Sequence, residues 1–133
     1  MENKRTIKQM YNLDYDNSGV NSGLIKWYNQ LLDKSVDELT EVDISKMIRQ
    51  EILKELAIDK AIEVFQENPI AGEMYDGDIL DMLNSLAKKQ QLSLSQLEKI
   101  KKITNDLREQ SLEHEWGDEE EKKVFIENLS EFN

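Results

Sequence analysis

The sequence predicts an all-α protein, a compact single-domain bundle of about six or seven helices over residues 1–133. Apolar residues recur at three- and four-residue steps along most of the chain, which places them on one face of a helix. Capping residues precede several of these stretches, and turn formers follow them. No stretch shows sustained two-residue alternation rich in β-branched residues, so no strand is expected. The length is that of one domain, able to bury about two thirds of its unfolded surface.

The first two helices are predicted on either side of a turn-forming segment. A short helix over residues 6–13 ends at Asp14-Tyr15-Asp16-Asn17-Ser18-Gly19, a cluster of turn formers. A second helix begins at Ser22 and ends near residues 33–34. Its apolar residues share one face, which predicts that Trp27 lies in the core. That face consists of Leu24, Trp27, Tyr28, Leu31 and Leu32.

Two capping patterns predict where the next helix begins. Ser35-x-x-Glu38 has the form of a capping box. Thr40 provides a second cap, followed by acids in the first turn, where the helix dipole favours negative charge. We therefore expect a helix from about Glu41.

The apolar residues that follow this start continue to Phe65, but their phase fits one straight helical face poorly. We therefore expect a break between Leu53 and Asp59, which gives two helices that pack against each other. Pro69 ends the second of these because the residue before a proline avoids helical angles.

Three more helices are predicted after Pro69, the second of them the longest in the chain. The expected starts are Asp76 or Asp78, then Ser93 with Gln96 or Ser95 with Glu98, then Asp118 after the break at Gly117. The predicted core comprises Ile44, Ile48, Ile52, Ile62, Phe65, Leu80, Leu83, Ile100 and Ile103.

The chain is strongly acidic, with 28 acidic and 17 basic residues and a formal net charge of −11. Such a chain repels phosphate backbones and anionic membranes and attracts basic partners, so neither nucleic acid nor a membrane is an expected partner. The absence of cysteine excludes disulfides and thiolate metal sites. The N-terminus lacks the apolar run of a signal peptide, and no later segment is long enough to cross a bilayer. We expect a cytoplasmic protein.

No catalytic constellation is recognisable in the sequence. His114 is the only histidine. Its flanking carboxylates favour the charged form, and we interpret it as a solvated surface residue. Asp14-x-Asp16-x-Ser18-Gly19 resembles half of a calcium loop, but Ile25 stands where the closing bidentate Glu is required. An Asx turn accounts for the same residues. We therefore predict no enzymatic activity, no cofactor and no metal site.

Carboxylates crowd two stretches of the chain, residues 73–81 and residues 113–121. Charge runs are most often solvated surface. The first stretch is the better candidate for an interaction surface because it combines acids with Met74 and Tyr75, residue types enriched at interfaces. Gly72 and Gly77 indicate that it lies on a turn between helices.

A series of short segments follows in order between Val36 and Leu83. The segments are Leu39-Thr40-Glu41-Val42-Asp43-Ile44, Ile48-Arg49-Gln50, Ala61-Ile62-Glu63-Val64-Phe65, Glu67-Asn68-Pro69 and Tyr75-x-Gly77-Asp78-Ile79-Leu80. Together they resemble one family of immunity proteins from bacterial contact-dependent growth inhibition (CDI) systems. Asp76 departs from that pattern, since family members often have proline there.

The resemblance implies a cytoplasmic protein that binds a toxin domain in a one-to-one complex and blocks it without chemistry of its own. Toxins of these systems are often nucleases, whose active sites are positively charged to hold a polyanion. An acidic inhibitor presents carboxylates where phosphates would bind. We expect the toxin to be contacted by Glu73, Tyr75, Asp76, Asp78 and Asp81, with Glu38 and Glu41 beside them. The alternative function is a non-enzymatic helical adaptor or regulatory interaction module unrelated to toxins.

Overall fold

The computed structural model describes residues 5–19, 22–71, 77–109 and 119–132. Within these ranges the chain forms seven α-helices, one 3-10 turn and no β-strand, which confirms the predicted all-α class. The elements are α1 (Ile7–Tyr11), α2 (Gly23–Leu32), the 3-10 turn Val36–Glu38, α3 (Glu41–Arg49), α4 (Lys54–Glu67), α5 (Asp78–Lys88), α6 (Leu94–Glu109) and α7 (Glu119–Glu131). None of the helices in these ranges combines the length and apolar character that a bilayer crossing needs.

Backbone contacts divide the chain into two compact units, Met1–Asp43 and Ile44–Asn133. In the first unit α1 packs against α2. The amide of Ile7 donates to the carbonyl of Lys34 at 2.8 Å, which ties the start of α1 to the end of α2. Ile7, Leu31 and Leu32 are fully buried. Their burial follows from the three- and four-residue spacing that predicted the helices.

Asp43 is the buried polar centre of the first unit, with 3% of its surface exposed. Its Oδ1 accepts a hydrogen bond from Trp27 Nε1 at 2.9 Å, and its Oδ2 accepts from Lys34 Nζ at 2.6 Å and from the Thr40 amide at 3.0 Å. Burial raises the pKa of the Asp43 carboxyl, but its hydrogen bonds and the charge of Lys34 outweigh burial and lower the pKa below its ordinary value. Trp27 is buried as predicted, with its indole nitrogen satisfied by this carboxylate.

Most of the predicted caps are present. The Thr40 hydroxyl accepts from the Asp43 amide at 3.2 Å, and α3 begins at Glu41 as expected. Ser35 and Glu38 form their capping box, but the turn that follows is a single 3-10 turn. Ser93 and Gln96 cap α6 reciprocally, with the Gln96 side chain accepting from the Ser93 amide at 2.9 Å. The expected break at Gly117 and the expected helix start at Asp118 lie outside the described residues.

The break between α3 and α4 lies at residues 50–53, earlier than predicted. Ile52 donates its amide to Met47 O at 2.9 Å, and Glu51 donates to Ile48 O at 3.3 Å. These two bonds are the Schellman pattern that terminates a helix, with Glu51 in the left-handed region at φ 55°. Glycine usually occupies that position. With Glu51 there instead, the sequence carried no marker for the end of α3.

The start of α5 also differs from the prediction. Its N-cap is Gly77, at φ 87°, and Asp78 is the first helical residue, so Asp78 is not the cap. Asp76, the other candidate, lies outside the described residues. Asp78 and Asp81 instead fill the first turn of α5, where the helix dipole favours acids.

In the second unit α4 packs against α5 and α6, and α5 packs against α7. Phe65 of α4 is fully buried. Of the predicted core, Ile44, Ile48, Ile62, Phe65, Leu80, Leu83 and Ile100 are buried. Ile52 and Ile103 are only half-buried. Ile52 falls in the turn that ends α3, so the helical face on which it was predicted does not extend that far.

Truncating Phe65 to Ala should lower the free energy of unfolding by about 3–5 kcal/mol, because a fully buried aromatic leaves a cavity that the surroundings fill only in part. Chemical denaturation monitored by circular dichroism measures the change. Ile126→Ala is the matched control, since Ile126 is 51% exposed and its loss should cost less than about 0.5 kcal/mol. Equal losses for the two variants would contradict the packing of α4.

Replacing Asp43 with Asn should destabilise the protein most at neutral pH. The folded-state pKa of Asp43 is lowered, so its carboxylate stabilises the fold above the ordinary aspartate pKa, and this contribution is lost as pH falls through the folded-state pKa. The gap in unfolding free energy between wild type and Asp43→Asn should therefore close in acid. A gap that stays constant from neutral to acid pH would show that the carboxylate charge is not what stabilises this unit.

Candidate functional site

The predicted interaction turn is anchored at both of its ends. The Gly77 amide donates to Ile70 O at 2.7 Å, and the Ile79 amide donates to Ala71 O at 3.1 Å. These two bonds hold Ile70 and Ala71, which precede the turn, against the start of α5. Of the predicted contact residues, Glu73, Tyr75 and Asp76 lie within the intervening residues 72–76, outside the described ranges. Asp78 and Asp81 lie in the first turn of α5.

Gly77 is required at its position for two separate reasons. Its φ of 87° is strained for any residue with a Cβ. A Cβ built there would also lie 2.9 Å from Phe125 Cδ1, closer than real Cβ contacts allow. Phe125 belongs to α7 and is 3% exposed, so it is held in the core. The start of α5 is therefore packed directly against α7.

A polar chain connects Asp81 to the interface between α5 and α7. The Asn84 side-chain amide donates to Asn128 Oδ1 at 2.7 Å. The Asn128 amide nitrogen in turn points to Asp81 Oδ1 at 3.4 Å. Asn84 is 5% exposed and Asn128 is 7% exposed, so both amides are buried and bonded. Asp81 therefore contributes to packing as well as to surface charge.

One face of α5 lines a groove of about 550 Å³ in the second unit. Leu86 and Met82 give the groove an apolar floor, and Ser85 adds a hydroxyl. Three acidic and three basic side chains border it: Asp78, Asp81, Glu51, Arg49, Lys54 and Lys89. The acids of α5 thus share their groove with cations, and a partner that fills it must match both signs of charge.

The two other predicted contacts, Glu38 and Glu41, belong to the first unit. The Glu38 carboxylate accepts from the amide and the hydroxyl of Ser35, each at 3.0 Å, so it closes the 3-10 turn. Glu41 is the first residue of α3 and is half-buried. Glu38 therefore has the capping role that the sequence predicted. Its contact with the toxin stays a prediction.

The loop that resembled a calcium site forms the Asx turn expected for it. Asp16 Oδ1 accepts from the Ser18 amide at 2.9 Å, and Asn29 bonds the Asp16 backbone on both sides. The hydrogen bonds from Ser18 lower the pKa of the Asp16 carboxyl. In the described part of the chain no group of three or more potential ligands is arranged to hold a metal ion. His114 lies outside that part.

The sequence analysis missed Asn84, Phe125 and Asn128 as residues that shape this site. The sequence does indicate that the two asparagines are buried. Asn84 falls one position after Leu83 on the apolar side of α5, and Asn128 follows Phe125 by three residues on α7. A polar residue on a buried helical face has to find a partner, but nothing in the sequence says which helix supplies it.

Alanine substitutions at three glycines should separate backbone strain from crowding. Gly77→Ala should destabilise most, because it adds both a strained φ and a clash with Phe125. Gly19→Ala adds only the strain of φ 80° and should cost about 1 kcal/mol. Gly23→Ala adds neither and should be neutral or slightly stabilising. Melting temperatures test the order, and a Gly77→Ala variant as stable as Gly19→Ala would contradict the close packing of α7.

A comparison with curated proteins gives no match. A family model described as CDI immunity proteins matches residues 9–109. The match runs from within α1 to the end of α6, and it extends well beyond the segments that carried the resemblance. It decides between the two functions left open by the sequence, against an adaptor unrelated to toxins. This chain belongs to the family of CDI immunity proteins.

Proposed function

We propose that this protein neutralises its cognate CDI toxin by covering a basic active site, and that the toxin is a nuclease. Membership of the immunity family implies a non-enzymatic protein that binds a cognate CDI toxin. The observation that carries the proposal is the first turn of α5, where Asp78 and Asp81 are held at the edge of a groove by a doubly anchored turn. Fixed carboxylates lose little freedom on binding, which favours affinity.

The overall charge supports a basic partner. A net charge of −11 speeds encounter with a positively charged surface over a range set by the salt concentration. Glu73 and Asp76 in the adjoining residues add two acids to those of α5. A nuclease active site, which must attract phosphates, has the complementary sign.

The groove supports specificity for one toxin. Arg49, Lys54 and Lys89 border it together with the acids. Lys54 is already paired with Glu51 at 3.5 Å, but a toxin with only basic residues would still bring like charge close to this side of the groove, which costs affinity. The matching toxin therefore places basic residues against Asp78 and Asp81 and keeps its positive charge away from the cations. Such paired charges discriminate among toxins that all have basic active sites.

The complex is proposed to be one-to-one and to form in the cytoplasm, where an immunity protein meets a toxin that has entered the cell. Occlusion requires no chemistry from the inhibitor, since the toxin is blocked for as long as the complex lasts. The dissociation rate therefore decides how long protection holds.

Charge reversal at Asp78 should weaken protection. Asp78→Lys places a cation where the toxin's basic surface binds, and we expect association with the toxin domain encoded by the neighbouring reading frame to slow about tenfold at low salt. Growth of cells that express this toxin domain, and association rates at rising salt, measure the effect. The difference from wild type should shrink as salt rises.

Glu119→Lys is the matched control, because Glu119 is also the first residue of its helix and both changes oppose the helix dipole by up to about 1 kcal/mol. It also tests the other acidic stretch. Full protection by Asp78→Lys together with its loss in Glu119→Lys would place the site on α7. Asp81 is unsuited to this comparison because its carboxylate bonds Asn128. Glu41→Lys tests the first unit separately.

A further inference from the structure

We infer that α7 positions the toxin-binding acids, with Asn128 as the residue that orients the Asp81 carboxylate. This inference rests on the proposed function of the first turn of α5. The family match ends at residue 109, whereas α7 spans Glu119–Glu131. Thus α7, which lies beyond the matched residues, contacts the first turn of α5, where the toxin is proposed to bind.

The first contact is steric. Phe125 lies against Gly77 at the position where α5 begins, and it leaves no room for a Cβ there. Because Phe125 is 3% exposed and packed, the start of α5 cannot move toward α7 without displacing a buried ring. The ring therefore limits where the backbone before Asp78 can lie.

The second contact is directional. An asparagine side chain has an oxygen that accepts and a nitrogen that donates. Asn84 donates to the oxygen of Asn128 at 2.7 Å, which leaves the Asn128 nitrogen to face Asp81 at 3.4 Å. Asn84 thus fixes which end of the amide Asp81 meets. The donor stabilises the rotamer in which Asp81 Oδ1 faces Asn128, and Asp81 is also one of the residues that line the groove.

The consequence is that α7 tunes binding without contacting the toxin through Asn128. A carboxylate held in its binding rotamer loses less side-chain entropy when the complex forms. Removal of the Asn128 donor should loosen the Asp81 carboxylate and raise the dissociation constant by up to about tenfold, the scale of the side-chain entropy lost when one side chain is immobilised.

A double-mutant cycle tests this coupling. Asn128→Leu removes the amide at similar volume, and Asp81→Ala removes the carboxylate on which it acts. Binding to the toxin domain encoded beside this protein is measured for the wild type, both single variants and the double variant. We expect Asn128→Leu to weaken binding about tenfold in the wild-type background and less than about twofold in the Asp81→Ala background.

A second readout needs no toxin. The Asn128 side-chain amide resonances of the free protein should shift in Asp81→Ala and in Asn84→Leu, and should stay in place in Asp106→Ala, an exposed acid on α6. Melting temperatures of all variants separate a loss of folding from a loss of orientation. The conservative variant Asn128→Gln, which restores an amide, should recover part of the affinity lost in Asn128→Leu.

Three results would overturn the inference. Equal losses of affinity from Asn128→Leu in both backgrounds would show that Asn128 acts through general stability. Unmoved Asn128 resonances in Asp81→Ala would show that the contact does not form. Unchanged affinity of Asp81→Ala alone would instead overturn the proposed binding site, and with it the effect of Asn128 on binding, while the resonance test would still report the contact itself.

Discussion

The close approach of α7 to the start of α5 is the constraint on which the second unit depends. Gly77 adopts a left-handed conformation and meets the buried ring of Phe125, so the chain can turn into α5 at this position only with a residue that lacks a side chain. The hydrogen bonds from Gly77 and Ile79 back to residues 70 and 71 fix the same turn from the other side. Together these contacts determine where the acids of the first turn of α5 are presented.

The hydrogen bond between the side-chain amides of Asn84 and Asn128 makes the packing of α5 on α7 specific for one alignment of the two helices. Apolar side chains at these positions would stabilise an interface as well, but they would tolerate a shift of one helix along the other. A buried amide that loses its partner costs about 1–3 kcal/mol, so the pair favours a single register of α5 on α7. The same pair leaves one donor for Asp81, which connects the register of two helices to the orientation of a surface carboxylate.

Charge acts on two scales in this protein. The net charge of −11 is long-ranged and steers any basic partner toward the surface without selecting among such partners. The groove beside α5 carries both signs within a short distance, so a partner bound there would have to match that pattern.

The sequence alone determined the all-α class, a count of about six or seven helices and the cap at Thr40, because these depend on hydrogen bonds within three residues and on the periodicity of apolar residues. It left Ser93 and Ser95 as alternative caps of α6, of which the structure has Ser93. It placed the break after α3 too late, since Glu51 occupies a position where glycine would have marked the end. Tertiary structure decided the contact of Phe125 with Gly77 and the bond of Asn84 to Asn128, which join residues far apart in the chain. Local pattern shows that a helix has a buried face, but only the packed fold determines which helix covers it.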